Sequence, residues 1–154
     1  MASRAFLLKH HVQNRKLLRK LLGQVDEVQA NKIPQGFNNN IIWNCAHVIS
    51  IQQSLVYQLC RKPIQITKEQ LNTFTIGTKP QETYDQGFME DIKLQLIETS
   101  EKMAIDLDNE VFEVVSPFMT AIKVELTNID DTLAFVNYHE GLHLGVVTSL
   151  LKFV

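Results

Sequence analysis

Residues 137–147 read NYHEGLHLGVV, and the central HEGLH places His139 and His143 four positions apart. On a helix that spacing projects both imidazoles from one face, a single turn apart. Neutral imidazoles so placed can share one divalent ion. The neighbouring positions on the same stripe are Phe135, Val136, Val146, Val147 and Leu150, so the pair is expected on a buried face. Imidazoles facing an apolar core are costly unless hydrogen-bonded or bound to metal. The residues alone leave three readings open: metal ligation, buried hydrogen-bonded histidines, or a solvated helix edge.

HEGLH also fits the H-E-x-x-H pattern of zinc proteases, but the usual context is missing. Those enzymes take a third ligand from downstream of the motif helix. Only LGVVTSLLKFV follows His143, with no His, Asp, Glu or Cys in it. Glu140, the general base on a protease reading, lies about 100° round the helix from His139. It is expected to be a surface or helix-interface charge, with a contact that supports a metal ligand as the lesser alternative, and Tyr138 is expected to turn away from the pair. Proteolysis is therefore set aside, and any third ligand has to come from upstream.

Three further histidines are available: His10, His11 and His47. The first two stand among Lys9, Asn14 and Arg15 and read as solvated, or packed without metal. His47 is the better candidate, with Trp43 one turn before it and Ile51 one turn after, on an inward face of a long helix. Asn40, Trp43 and Asn44 precede His47 by seven, four and three residues, on or near its face. Trp43 reads first as core and second as a pocket wall. The asparagines either orient a ligand or cap the helix.

The elements that must position these side chains are helical almost throughout. An amphipathic first helix is predicted over 4–28, its stripe formed by Phe6, Leu7, Leu17, Leu18, Leu21, Leu22 and Val25. A turn follows at 31–36, marked by Pro34 and Gly36, and a second helix over roughly 39–60. Residues 61–81 hold two prolines and a glycine and read as a long connection with one short turn. A third helix is predicted from Tyr84 to Leu107, with Met89, Ile92, Leu96, Met103 and Leu107 inward. The stretch 108–128, interrupted by Pro117, is read as a shorter helix, with a strand over 121–126 as the alternative. The last helix is predicted over 130–152, Asp130 and Asp131 favouring its start. Four long amphipathic helices make an all-α four-helix bundle the economical fold, with a crossover loop between the second and third.

Composition sets further bounds. The chain has 154 residues, 45% hydrophobic and 21% charged, with a formal net charge of −2. This suits a single domain over 1–154 that needs no metal merely to fold. Spread-out lysines and arginines give no footprint for nucleic acid and no polybasic membrane patch. No apolar run approaches the roughly 20 residues of a membrane span. Only four apolar residues separate Arg4 from Lys9, too few for a secretory signal, so the expected location is cytoplasmic. Cys45 and Cys60, without CxxC spacing, are expected to be reduced, mostly buried thiols.

Taken together, NNNIIWNCAHVISIQQSLVY in the second helix and FVNYHEGLHLGVVTSLLK in the last carry a family resemblance. A Trp shortly before the first His, then H-x-x-x-H followed by Leu-Gly, resembles the DinB-like (YfiT-like) metalloenzyme superfamily over nearly the whole chain. The resemblance implies a four-helix bundle in which His47, His139 and His143 hold one divalent metal. Zinc or nickel suits such a set best, and manganese or iron also fits. Relatives of this type include thiol-dependent S-transferases and isomerases, which implies a small-molecule substrate and a low-molecular-weight thiol as nucleophile. It also suggests a homodimer formed through helix faces. The competing expectation is a non-catalytic metal- or small-ligand-binding bundle, since the sequence offers no unambiguous general base.

Overall fold

The computed structural model describes residues 3–154 and is mostly helical, with six α-helices and one short antiparallel strand pair among them. The first helix, α1, spans Arg4–Leu22 and is capped by Ser3, whose side chain accepts from the Phe6 amide at 3.3 Å. It stops at Gly23, short of the predicted Val28. Asp26 then opens a separate helix, α2 (Glu27–Asn31), through a reciprocal capping box with Gln29. Glycine at a helix end and an Asp-x-x-Gln start are local signals strong enough to break an apolar periodicity that runs straight through them.

Helix α3 covers Ile41–Gln52 and continues as a π-helical turn over Gln53–Gln58. Its N-cap is Asn40, whose side chain accepts from the Trp43 amide at 2.9 Å. The connection that follows contains a one-and-a-half-turn helix, α4 (Lys68–Thr73), capped by Thr67. Helix α5 spans Gln86–Asp108 and buries Met89, Ile92, Leu96, Met103 and Leu107, the inward set expected from its spacing. Helix α6, Ile129–Leu150, starts at Asn128, which accepts from the Asp131 amide at 2.9 Å, with Asp130 and Asp131 in the first turn.

Between α5 and α6 the chain forms no helix. Two short strands, β1 (Phe118–Met119) and β2 (Glu125–Leu126), pair antiparallel, Phe118 opposite Leu126. A β-branched run and Pro117, which lacks an amide donor, work against the predicted short helix there. The turn is closed by the Lys123 amide donating to the Thr120 carbonyl, with Lys123 itself in the left-handed region at φ 64°.

The long helices assemble with α1 against α5 and α6, and α3 against the same two. Their buried apolar residues fall into two clusters. One gathers Leu18, Leu22, Trp43, Ile49, Met89, Ile92, Leu96, Val147 and Leu150. The other gathers Val56, Met103, Leu107, Leu126, Leu133 and Val136. On every long helix a buried polar step lies between the two: His11, Asn14 and Arg15 on α1, Ser50 and Gln52 on α3 with Gln53 on its π-helical continuation, Thr99 and Ser100 on α5, Asn137 and Glu140 on α6. This layer corrects the reading of α1. Phe6 and Leu17 are exposed, while His11 and Arg15 are fully buried in line with Leu18 and Leu22.

Candidate metal centre

Three imidazoles converge where α3 meets α6. His47, His139 and His143 each offer a ring nitrogen within 4.8 Å of the other two. His47 Nε2 and His139 Nε2 are 3.2 Å apart. Two ligands at zinc–nitrogen distances in a tetrahedral set stand roughly 3.3 Å apart, so this separation already suits one ion between them.

Local structure explains why the rings point as they do. All twelve residues of α3 except Ile51 are buried, and His47 is presented on the face toward α6. Trp43, one turn earlier, lies flat against its ring, with centroids 4.5 Å apart and planes 13° from parallel. His47 Nδ1 is 2.7 Å from the carbonyl of Phe74, the residue that ends α4. A carbonyl only accepts, so Nδ1 carries the proton and Nε2 keeps its lone pair for the centre. The connection between α3 and α5 thus fixes one ligand's tautomer.

His143 is oriented in the same manner. Its Nδ1 is 2.7 Å from Asn44 Oδ1. The Asn44 amide cannot be reversed without loss, because its Nδ2 already donates to Asn39 Oδ1 at 3.0 Å and to the Asn40 carbonyl at 2.7 Å. His143 Nδ1 is therefore the donor, and Nε2 is again free to ligate. His139 differs: its Nδ1 is buried with no protein partner. Of the three pocket residues expected beside His47, Trp43 and Asn44 touch the imidazoles. Asn40 instead spends its side chain on the helix cap and on the Asn31 carbonyl.

The electrostatics favour neutral, ligating rings. Burial lowers the His47 pKa, against a partial opposing effect of the Phe74 hydrogen bond. Burial first, and then the neighbouring His47, bring His139 down to about 4. Burial, followed by His139 and His47, brings His143 down to about 3. Near neutral pH all three keep lone pairs that protons would otherwise occupy. His47 is only 4% exposed, whereas His139 and His143 are half-buried, so the centre has one wet side. Three imidazoles with one accessible side leave a coordination position for a small molecule.

Glu140 occupies neither the surface nor the centre. It is fully buried at the helix interface, with Oε1 accepting from Arg15 Nε at 2.7 Å and lying 3.3 Å from His11 Nδ1. Burial alone would raise its pKa, but Arg15 and then His11 outweigh burial and hold the carboxyl below its ordinary value. A carboxylate committed to a buried arginine is not poised to activate water at the triad. His11 is fully buried beside Glu140 and is not among the three clustered imidazoles, and His10 is exposed. Sequence reasoning passed over Arg15, Asn39 and the Phe74 carbonyl. The spacing of His11, Arg15, Leu18 and Leu22 by four, three and four residues was the available signal for Arg15. A backbone carbonyl leaves no such signal.

No helix among the described residues is long and apolar enough to cross a membrane. A family model described as the DinB superfamily matches residues 10–147, a span that includes all three triad histidines. No curated protein matches the chain.

Proposed function

Because the chain belongs to the DinB superfamily, we propose that His47, His139 and His143 hold one divalent transition metal, zinc or nickel before manganese or iron, in a thiol-dependent transferase. The observation that carries this reading is the fixed tautomer of two ligands: Phe74 and Asn44 each occupy an Nδ1, leaving the Nε2 lone pairs of His47 and His143 free within a cluster of three imidazoles. A metal held there would supply Lewis acidity and lower the pKa of a thiol or water at its open position. The protein's own part is to keep the imidazoles neutral, to shield one side with Trp43, and to leave His139 and His143 reachable from solvent. In the proposed reaction a small thiol loses its S–H proton to solvent. Its sulfur then bonds to an electrophilic carbon as the leaving group departs with the displaced electron pair.

On this reading the four long helices form one bundle domain, with the α3–α5 connection as its crossover, working in the cytoplasm as a homodimer. A second reading is favoured by one observation. The acid nearest the triad in sequence, Glu140, is taken by Arg15, which leaves the centre without an assigned base. The chain would then be a metal-binding or small-ligand-binding module without turnover.

Elemental analysis of dialysed protein beside His143→Ala tests the centre first. About one equivalent of metal, lost in the variant, is expected; no uptake in the wild type after reloading would end the metal reading. Incubating the loaded protein with a small thiol and an electrophile then separates the two roles. Conjugation abolished by His139→Ala supports the enzyme, and conjugation that survives in that variant refutes it. Metal uptake without any conjugation leaves the binding module.

A further inference from the structure

The two helices that carry the triad are joined by a single side chain from a third. Arg15 of α1 is fully buried. Its Nε donates to Glu140 Oε1 at 2.7 Å, and its Nη2 donates to the Val48 carbonyl at 3.0 Å. Glu140 is the residue immediately after His139, and Val48 the residue immediately after His47. One guanidinium therefore grips α6 and α3 at the positions adjoining His139 and His47.

We propose that Arg15 is a positioning residue of the metal centre, setting the separation and rotation of α3 and α6 that place the Nε2 atoms of His47 and His139 3.2 Å apart. The inference rests on the triad reading above. Arginine suits the task because its donors diverge from one rigid plane, so gripping two acceptors at once fixes a distance and an angle together. The Val48 acceptor is main chain, so this grip holds the helix itself and not a rotatable group. His11, one turn before Arg15 on α1, adds a second contact to Glu140.

Stability alone gives a weak reason for the arrangement. Buried ion pairs lose much of their attraction to desolvation, and an apolar replacement of both partners is often as stable or more so. What an apolar pair lacks is directionality, and directionality is what a three-ligand centre requires.

The experiment uses cobalt(II) as the probe, read by its visible absorption and by competition with a chelator. The double variant Arg15→Met/Glu140→Leu leaves no unpaired buried charge. It is expected to stay helical while binding cobalt about tenfold or more weakly, the usual scale for loss of ligand-supporting contacts, with an altered spectrum. Arg15→Lys keeps the charge but cannot span both acceptors, and is expected to share the defect. It also serves if the double variant does not fold. Tyr57→Phe removes a different buried hydrogen bond, to Asp106. It should lower stability yet retain the wild-type spectrum, which separates positioning from general loosening. Wild-type affinity and spectrum in Arg15→Lys or in the double variant overturn the proposal while the triad reading stands. A wild type that takes up no cobalt removes both.

Discussion

Replacing Asn44 with alanine tests how the second ligand helix is aimed. In the folded protein Asn44 accepts from His143 Nδ1 at 2.7 Å and is itself held by Asn39 and the Asn40 carbonyl. Freed of that acceptor, His143 would populate both neutral tautomers. If the two were equal, half the molecules would lose the ligating Nε2 lone pair, a penalty of only roughly 0.4 kcal/mol. The larger effect comes from the ring's freedom to rotate and from the loss of the hydrogen bond that makes Nε2 a better donor. Together such contacts are worth about 10- to 100-fold in metal affinity, or roughly 1.4–2.7 kcal/mol. The assay is zinc or nickel competition against a chromophoric chelator near pH 7.5, with urea melts of the metal-free proteins alongside. Those melts should show a loss of about 1–3 kcal/mol for the broken buried hydrogen bonds, independent of metal. An affinity within twofold of wild type would refute the reasoning, because the tautomer penalty would then be all that Asn44 supplies.

Other outcomes follow from the same geometry. Trp43→Phe keeps a flat apolar surface against His47 and should cost less than about 1.5 kcal/mol in a urea melt, whereas Trp43→Ala should cost about 3–5 kcal/mol; equal losses would show that the stack is not what holds the ring. In metal-free protein the lowered histidine pKa values mean that the unfolded chain takes up protons first as pH falls. Stability is then full above about pH 6.5 and declines toward the folded values, about 4 for His139 and about 3 for His143. Urea midpoints between pH 7.5 and 5 should fall more steeply for wild type than for His143→Leu, and parallel lines would contradict this sign. Cys45 is completely buried, and burial pushes its thiol up to about 12. A brief alkylation pulse at pH 8, read by mass spectrometry, should leave it unlabelled until the protein is unfolded.

Much of the helical frame was legible because it is written in local signals. Asn128 with its following acids, and the inward spacing of Met89, Ile92, Leu96, Met103 and Leu107, need nothing beyond periodicity and capping. Where periodicity and punctuation disagreed, punctuation won: Gly23 and Asp26 divided a helix that the apolar stripe carried to residue 28. Pro117 and its branched neighbours gave the strand pair in place of a short helix. His47, His139 and His143 were recognisable by type and helical face, and the family motif put them together. Their supports were harder to see. Arg15 received no role, since a charged side chain ordinarily means solvent; its burial depends on Glu140, 125 positions away. The Phe74 carbonyl belongs to every residue type alike, so only the folded path of the α4 segment reveals it.

His47 and His139 lie 92 positions apart in the chain, yet their ring nitrogens nearly touch. On the triad reading, an ion between them closes a loop of that length, the kind of topological constraint that a disulfide would impose. A disulfide answers to the redox state of its surroundings. This cross-link would answer to metal supply and be reversible by a chelator, so the protein's resistance to unfolding would track free metal concentration.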